Sequence, residues 1–132
     1  MISPINLALS GMNAAVLRLS TSANNVANVS TTSTYNLGET KNKGPFVPKD
    51  VVQVNQGVGG TYATVVDSSK EPLQVYDQYN PEANANGIVS YPNVDTNEEI
   101  AGQIDAGASY KANLKAIEIY KQMNDAFLDI FA

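Results

Sequence analysis

The sequence predicts a mainly α fold with a small β-rich insert, its long N- and C-terminal helices paired as an antiparallel, coiled-coil-like hairpin. Three observations predict this. A heptad rhythm of apolar or small residues runs through the first 30 positions. A second set of apolar residues, at spacings of three and four, runs through positions 96–131. Between them, glycines and prolines break up short β-branched stretches. The chain divides accordingly into 1–30, 31–93 and 94–132, one modest domain in all.

The first helix starts at Ser3 and Pro4. Serine offers an N-cap oxygen, proline at the first helical position gives up a donor that would be unpaired anyway, and Ile2 is placed to staple onto Leu7. It is expected to run to about Asn28, where Ser30, Thr31, Thr32, Ser33 and Thr34 end it. Ile5, Leu9, Met12, Val16, Leu19, Ala23 and Val26 alternate at spacings of four and three, the seam of a left-handed coiled coil. Arg18 is the single formal charge among residues 1–30. Ser10, Asn13, Ser20, Thr21, Ser22, Asn24, Asn25 and Asn28 stand where a solvated helix would carry Lys and Glu. Neutral hydrogen-bonding flanks suit contact on several sides and point to an assembly subunit rather than an enzyme. Asn24, Asn25 and Asn28 either bridge neighbouring helices and cap backbone groups, or are simply poor helix formers near a frayed end.

In the insert, Lys49 to Asn55 and Gly60 to Val66 read as a strand pair joined by the turn Gln56 to Gly59, with the register left open by glycines. Leu73 to Tyr76 and Ile88 to Tyr91 read as two more strands flanking the turn Asn80 to Gly87.

Asp95, with Glu98 three residues on, makes an acidic capping box for the second helix, expected over Thr96 to Phe131. Ile100, Ile104, Gly107, Tyr110, Leu114, Ile117, Tyr120, Phe127 and Phe131 share one broad face. The heptad seam of the first helix is expected to dock on it and leave the uncharged flanks for other subunits. The subunit-packing candidates are therefore Ile5, Leu9, Met12, Val16, Leu19, Val26, Asn24, Asn25, Asn28, Ile100, Ile104, Tyr110, Asn113, Leu114, Ile117, Tyr120 and Phe127.

Composition excludes much else. A net charge of -5 with eight cations, clustered only at Lys41 and Lys43, argues against a nucleic-acid partner. The absence of Cys and His removes disulfides, thiol nucleophiles, imidazole bases and the usual zinc ligands. No catalytic, cofactor or metal residues are expected. Glu82, Asn84, Asn86 and Gly87 imitate a calcium loop poorly, with Asn93 where the closing Glu belongs. Gly57, Gly59 and Gly60 lack the Gly-Lys-Ser/Thr ending of a phosphate loop and read as a hairpin turn. No apolar run reaches the roughly 18 residues of a membrane span, and no basic region precedes a continuous apolar one, so a soluble chain without a cleavable signal is expected.

The run Ala8, Leu9, Ser10, Gly11, Met12, followed by Asn24, Asn25, Val26, Ala27, Asn28, resembles the N-terminal signature of the flagellar axial proteins, the rod and hook family. Within it, Gly44, Pro45 and Phe46, then Tyr76 and Asp77 leading to Asn80 and Pro81, and Asn86, Gly87 through Tyr91, Pro92, Asn93, Val94, Asp95 are most similar to the proximal rod members. Ser109, Tyr110, Lys111, Ala112 and Asn113 resemble the family's Arg-x-Tyr-x-Ala-Asn helix motif, with Ala108 at the Arg position. The likeness spans most of the chain and is weakest between Val47 and Leu73.

It implies a structural subunit of the basal-body rod, the periplasm-crossing drive shaft. Such a chain leaves the cell through the flagellar type III export apparatus with no cleaved signal. Its terminal helices would line an inner layer, with the insert outside. Implied partners are further copies of itself, other rod proteins and a rod-base adaptor. A different class stays open on the residues alone, a stable monomeric helix-hairpin binding module presenting its β insert to one protein.

Overall fold

The structure is a computed structural model and describes residues 3–34, 45–55, 57 and 59–131. The expectations for Ile2, Lys41, Lys43, Gly44 and Gln56 lie outside these residues. The order of elements is α1 (Pro4–Ala27), β1 (Ser33–Thr34), β2 (Lys49–Asn55), β3 (Thr61–Asp67), β4 (Leu73–Tyr76), β5 (Ile88–Tyr91) and α2 (Thr96–Phe131).

α1 begins where proline permits it. Ser3 is the N-cap residue with extended backbone, but its hydroxyl makes no capping bond, and Leu7 N donates to its carbonyl instead. At the other end Asn28 Nδ2 donates to Asn24 O at 2.8 Å and Thr31 Oγ1 to Asn28 O at 2.7 Å. These side-chain bonds add a second donor to carbonyls that already accept from Asn28 N and Thr31 N.

β2 and β3 form an antiparallel hairpin with Val51 opposite Val65 and Lys49 opposite Asp67. Gly59 and Gly60 carry positive φ at its turn. β1, β5 and β4 form a separate three-stranded antiparallel sheet with β5 central. The sequence gives no strand signal for β1, which is two residues long and follows directly on the helix end. In the turn before β5, Asn84 Oδ1 accepts from Asn86 N and Ile88 N, and Gly87 N donates to Asn84 O at 2.9 Å. Two oxygens of the imitation calcium loop are thus engaged with protein, since Glu82 Oε2 likewise accepts from Thr34 Oγ1.

Asp95 Oδ1 accepts from Asn97 N at 2.9 Å and Glu98 N at 3.3 Å, capping α2. Only half of the predicted capping box forms, because the Glu98 carboxylate accepts from Lys70 Nζ at 2.9 Å. At about 1.5 Å per residue, α1 is roughly 36 Å long and α2 roughly 54 Å. The two are antiparallel: Gly11 lies against Asn113, while Ser22 lies against Glu99 and Gln103. That pairing puts Pro4 level with about Tyr120, and residues 121–130 are exposed throughout.

α1 packs on α2, β2 and β3, whereas the three-stranded sheet stands apart from both helices among the described elements. The interior is thin. Among the described residues the buried apolar side chains are Ala8, Ala14, Ala15, Pro48, Val89, Pro92 and Ala106, and the largest fully buried side chains are Val89 and Asn25. The chain exposes 9324 Å², against about 6,700 Å² for a compact monomer of this mass.

Candidate subunit interface

Helical periodicity creates two stripes on α1. Ala8, Ala14, Ala15, Thr21, Ser22 and Asn25, with half-buried Gly11 among them, turn inward. The heptad seam lies about a third of a turn away around the axis. Of its members, Ile5, Leu9, Val16 and Leu19 are 40–50% exposed, and Met12 and Val26 are half-buried. The expected docking of the seam onto α2 is therefore corrected: small and polar side chains make the contact between the helices. The physical reason is approach distance. Ala, Gly and Ser let α1 come close enough to meet α2 and the β2–β3 hairpin at once, which a row of Leu and Ile would prevent.

The second helix shows the same offset in its first half, whereas Ile117 and Tyr120 of the expected face do lie inward. Glu99, Gln103, Ala106, Asn113, Ile117 and Tyr120 occupy its inner positions, while Ile100 and Ile104 are exposed, Ile104 at 67%. Tyr110, Leu114 and Phe127 are also exposed. Val16, Leu19 and Ala15 of α1 face Ala106, Gly107, Tyr110 and Lys111 across an open, almost wholly apolar cleft of about 270 Å³.

Asn25 joins three elements at the closed end of the pair. Its Nδ2 donates to Lys49 O at 2.8 Å and to Glu99 Oε1 at 2.6 Å, and its Oδ1 accepts from Lys49 N at 2.9 Å. It is 1% exposed, so its amide works within the chain, bridging to α2 and to the first residue of β2. Asn28 caps the helix end, and Asn24, exposed, offers its Oδ1 to Asn28 at 3.3 Å. Ser22 extends the polar seam: its Oγ donates to Glu99 O and accepts from Gln103 Nε2. At the other end of the hairpin Thr61 N donates to Ser10 Oγ at 3.1 Å.

Two roles were missed by sequence reasoning. Gly11 lets Asn113 sit directly on the α1 backbone, since a Cβ there would lie 2.7 Å from Asn113 Nδ2. Arg18 donates to Gln53 Oε1, so the single charge of α1 holds β2. The signal for the first was present: Ala8, Gly11, Ala15, Ser22 and Asn25 fall at helical spacing one residue off the louder heptad.

The ionisable groups along the flank are paired structurally. The Glu98 carboxylate hydrogen-bonded to Lys70 raises the Lys70 pKa, and Glu118 does the same for Lys115 at 2.8 Å. Lys49 and Asp67 approach to 3.7 Å across the hairpin. Among the described residues no cluster of acidic side chains is arranged to hold a metal ion, and no helix is long and apolar enough to cross a membrane. What the arrangement offers is contact surface.

Residues 85–130 match the family model described as flagellar basal body rod FlgEFG protein C-terminal. The chain is 32% identical to the flagellar basal-body rod protein FlgC of Borreliella burgdorferi, across 93% of this chain and 92% of that protein. It is 33% identical to the FlgC of Salmonella typhimurium over the same shares of both chains. The FlgC of Aquifex aeolicus is 32% identical, across 90% of this chain and 88% of its own.

Proposed function

Since the chain belongs to the FlgC family of flagellar basal-body rod proteins, and is thereby a structural subunit of the rod and not an enzyme, we propose that it polymerises through the outward faces of its terminal helices. The rod it builds crosses the periplasm as the drive shaft and transmits torque by rigid packing. The helix pair forms the inner layer, as a coiled-coil-like hairpin completed by neighbouring helices, and the insert packs outside it. Its partners are other copies of itself, other rod proteins and a rod-base adaptor. Before assembly it passes the flagellar type III export apparatus without losing a signal peptide.

One observation carries this reading, the division of labour on α1. The small stripe is consumed inside the chain and the large apolar seam, Ile5, Leu9, Val16 and Leu19, is left half-exposed. Among the described residues the helices themselves bury four apolar side chains, all alanines, which offset little of the backbone entropy of two long helices, at about 1–2 kcal/mol per residue. The remaining stabilisation is supplied by neighbours. A self-sufficient binding module would need the seam inside.

Hydrogen exchange on the purified, unassembled chain tests this. Rapid exchange over 3–28 and 98–131, with opening free energies below about 3 kcal/mol, is expected. Protection at the 5–15 kcal/mol of an ordinary stable domain would sink the proposal and favour the monomeric module.

A further inference from the structure

We propose that Asn86 and Gly87 form a succinimide-forming modification site that the fold holds silent and that becomes reactive when the turn before β5 opens. This is the one Asn-Gly pair in the 132 residues. The chemistry is intramolecular and needs only water. The backbone nitrogen of Gly87 bonds to Asn86 Cγ, the Cγ–Nδ2 bond breaks, ammonia leaves, and the backbone proton passes to solvent base. Water then opens the five-membered ring at either carbonyl, leaving aspartate or isoaspartate at position 86. Glycine is the least hindered second residue for that ring closure, having no Cβ.

The fold requires that glycine. Gly87 has φ +73°, and a Cβ there would lie 2.7 Å from Tyr76 Cε2. The reactive half of the pair is thus imposed by the turn, and protection has to come from geometry. Gly87 is buried, and its N–H donates to Asn84 O at 2.9 Å. The peptide groups on both sides are held too, because Asn86 N and Ile88 N both donate to Asn84 Oδ1, at 2.9 and 3.0 Å. A nitrogen whose hydrogen is engaged, in a peptide plane fixed from both ends, neither loses its proton nor swings toward Cγ. Reaction therefore follows local opening. Its consequence is directional: an isoaspartyl linkage adds a methylene to the main chain just ahead of Val89 and Ser90, which are buried in the central strand.

The test is peptide mass spectrometry of the full chain, incubated at mildly alkaline pH in native buffer and in guanidinium chloride. Conversion at Asn86 is expected to be at least about tenfold faster in the denatured chain. Asn84→Ala should raise the native rate and leave the denatured rate unchanged, and Asn86→Gln should abolish the signal. Equal rates for the wild-type chain in the two solvents, or no conversion in either, would overturn the proposal.

Discussion

Asn25 and Lys49 exchange two hydrogen bonds, Lys49 N to Asn25 Oδ1 at 2.9 Å and Asn25 Nδ2 to Lys49 O at 2.8 Å. A side-chain amide on a helix thereby takes the place of a neighbouring strand for the first residue of β2. Its second amide hydrogen goes to Glu99 Oε1. Altering its charge or length breaks the set, because Asn25 is itself shielded from water and all three bonds are made through its one amide.

Asn25→Asp keeps the shape and removes both donors, setting a carboxylate against Glu99 Oε1 and Lys49 O. A cost of about 3 kcal/mol or more is expected, above the roughly 1–3 kcal/mol of an unpaired buried group in Asn25→Ala. In a chain this thinly cored either change should appear as loss of helical circular dichroism and of swimming. Unchanged helicity in both variants would count against the clamp.

Gly11→Ala improves helix propensity by about 1 kcal/mol, yet its methyl meets the Asn113 amide, which is itself tied by Nδ2 to Ser109 O at 2.9 Å. The substitution should destabilise the wild-type chain and stabilise an Asn113→Ala background. A thermal double-mutant cycle should return a coupling of about 0.5–3 kcal/mol, and additive effects would show that the two helices do not touch there.

Leu19→Asp and Ala15→Asp separate assembly from folding. Leu19 is 43% exposed, so its replacement should leave the circular dichroism of the isolated chain within error while abolishing rod assembly and motility. Ala15 is 4% exposed, and a carboxylate there should unfold the helix pair. Motile cells carrying Leu19→Asp would argue that the seam is not an assembly surface.

Gly87→Ala should cost about 1–2 kcal/mol from its left-handed backbone alone. Tyr76→Ala relieves the contact with the ring but not the backbone strain, so it should rescue the variant only in part. Amide protection across β4 and β5 reads the effect, and full rescue would mean that the ring contact was the whole cost.

Lys70 carries a pKa raised by its bond to Glu98, so the pair stabilises the folded chain at neutral pH and its contribution fades as pH rises through the folded Lys70 value. Both side chains are largely exposed, which limits the effect to under about 1 kcal/mol. Lys70→Met should lose stability at pH 7 and show a shallower decline at alkaline pH; an unchanged alkaline slope would remove the pair from the stability account.

Much of the architecture is legible from the residues. β2, β4, β5 and α2 have the predicted bounds, and β3 is displaced by one residue, because Gly60 belongs to the turn by its φ of +109°. Those strands announce themselves by β-branched residues between breakers. β1 has only Ser33 and Thr34 and exists because β5 is there to pair with it. The inner face of α1 was misassigned for a related reason. Large apolar side chains dominate any periodicity measure, whereas close packing of two helices on a hairpin selects for smallness, which carries almost no hydrophobic signal. Asn25 was legible as an amide able to bridge or cap, but its partner in β2 lies 24 residues away and is fixed only by the tertiary fold.

An alanine-and-glycine contact between two helices has shallow ridges. The polar bonds of Ser22 and Asn25 fasten the pair near Glu99, and Asn113 seated on Gly11, with Thr61 bonded to Ser10, holds it again toward Pro4. The hairpin is thus pinned at two heights along α1, and residues 121–130 of α2, exposed throughout, run on past it.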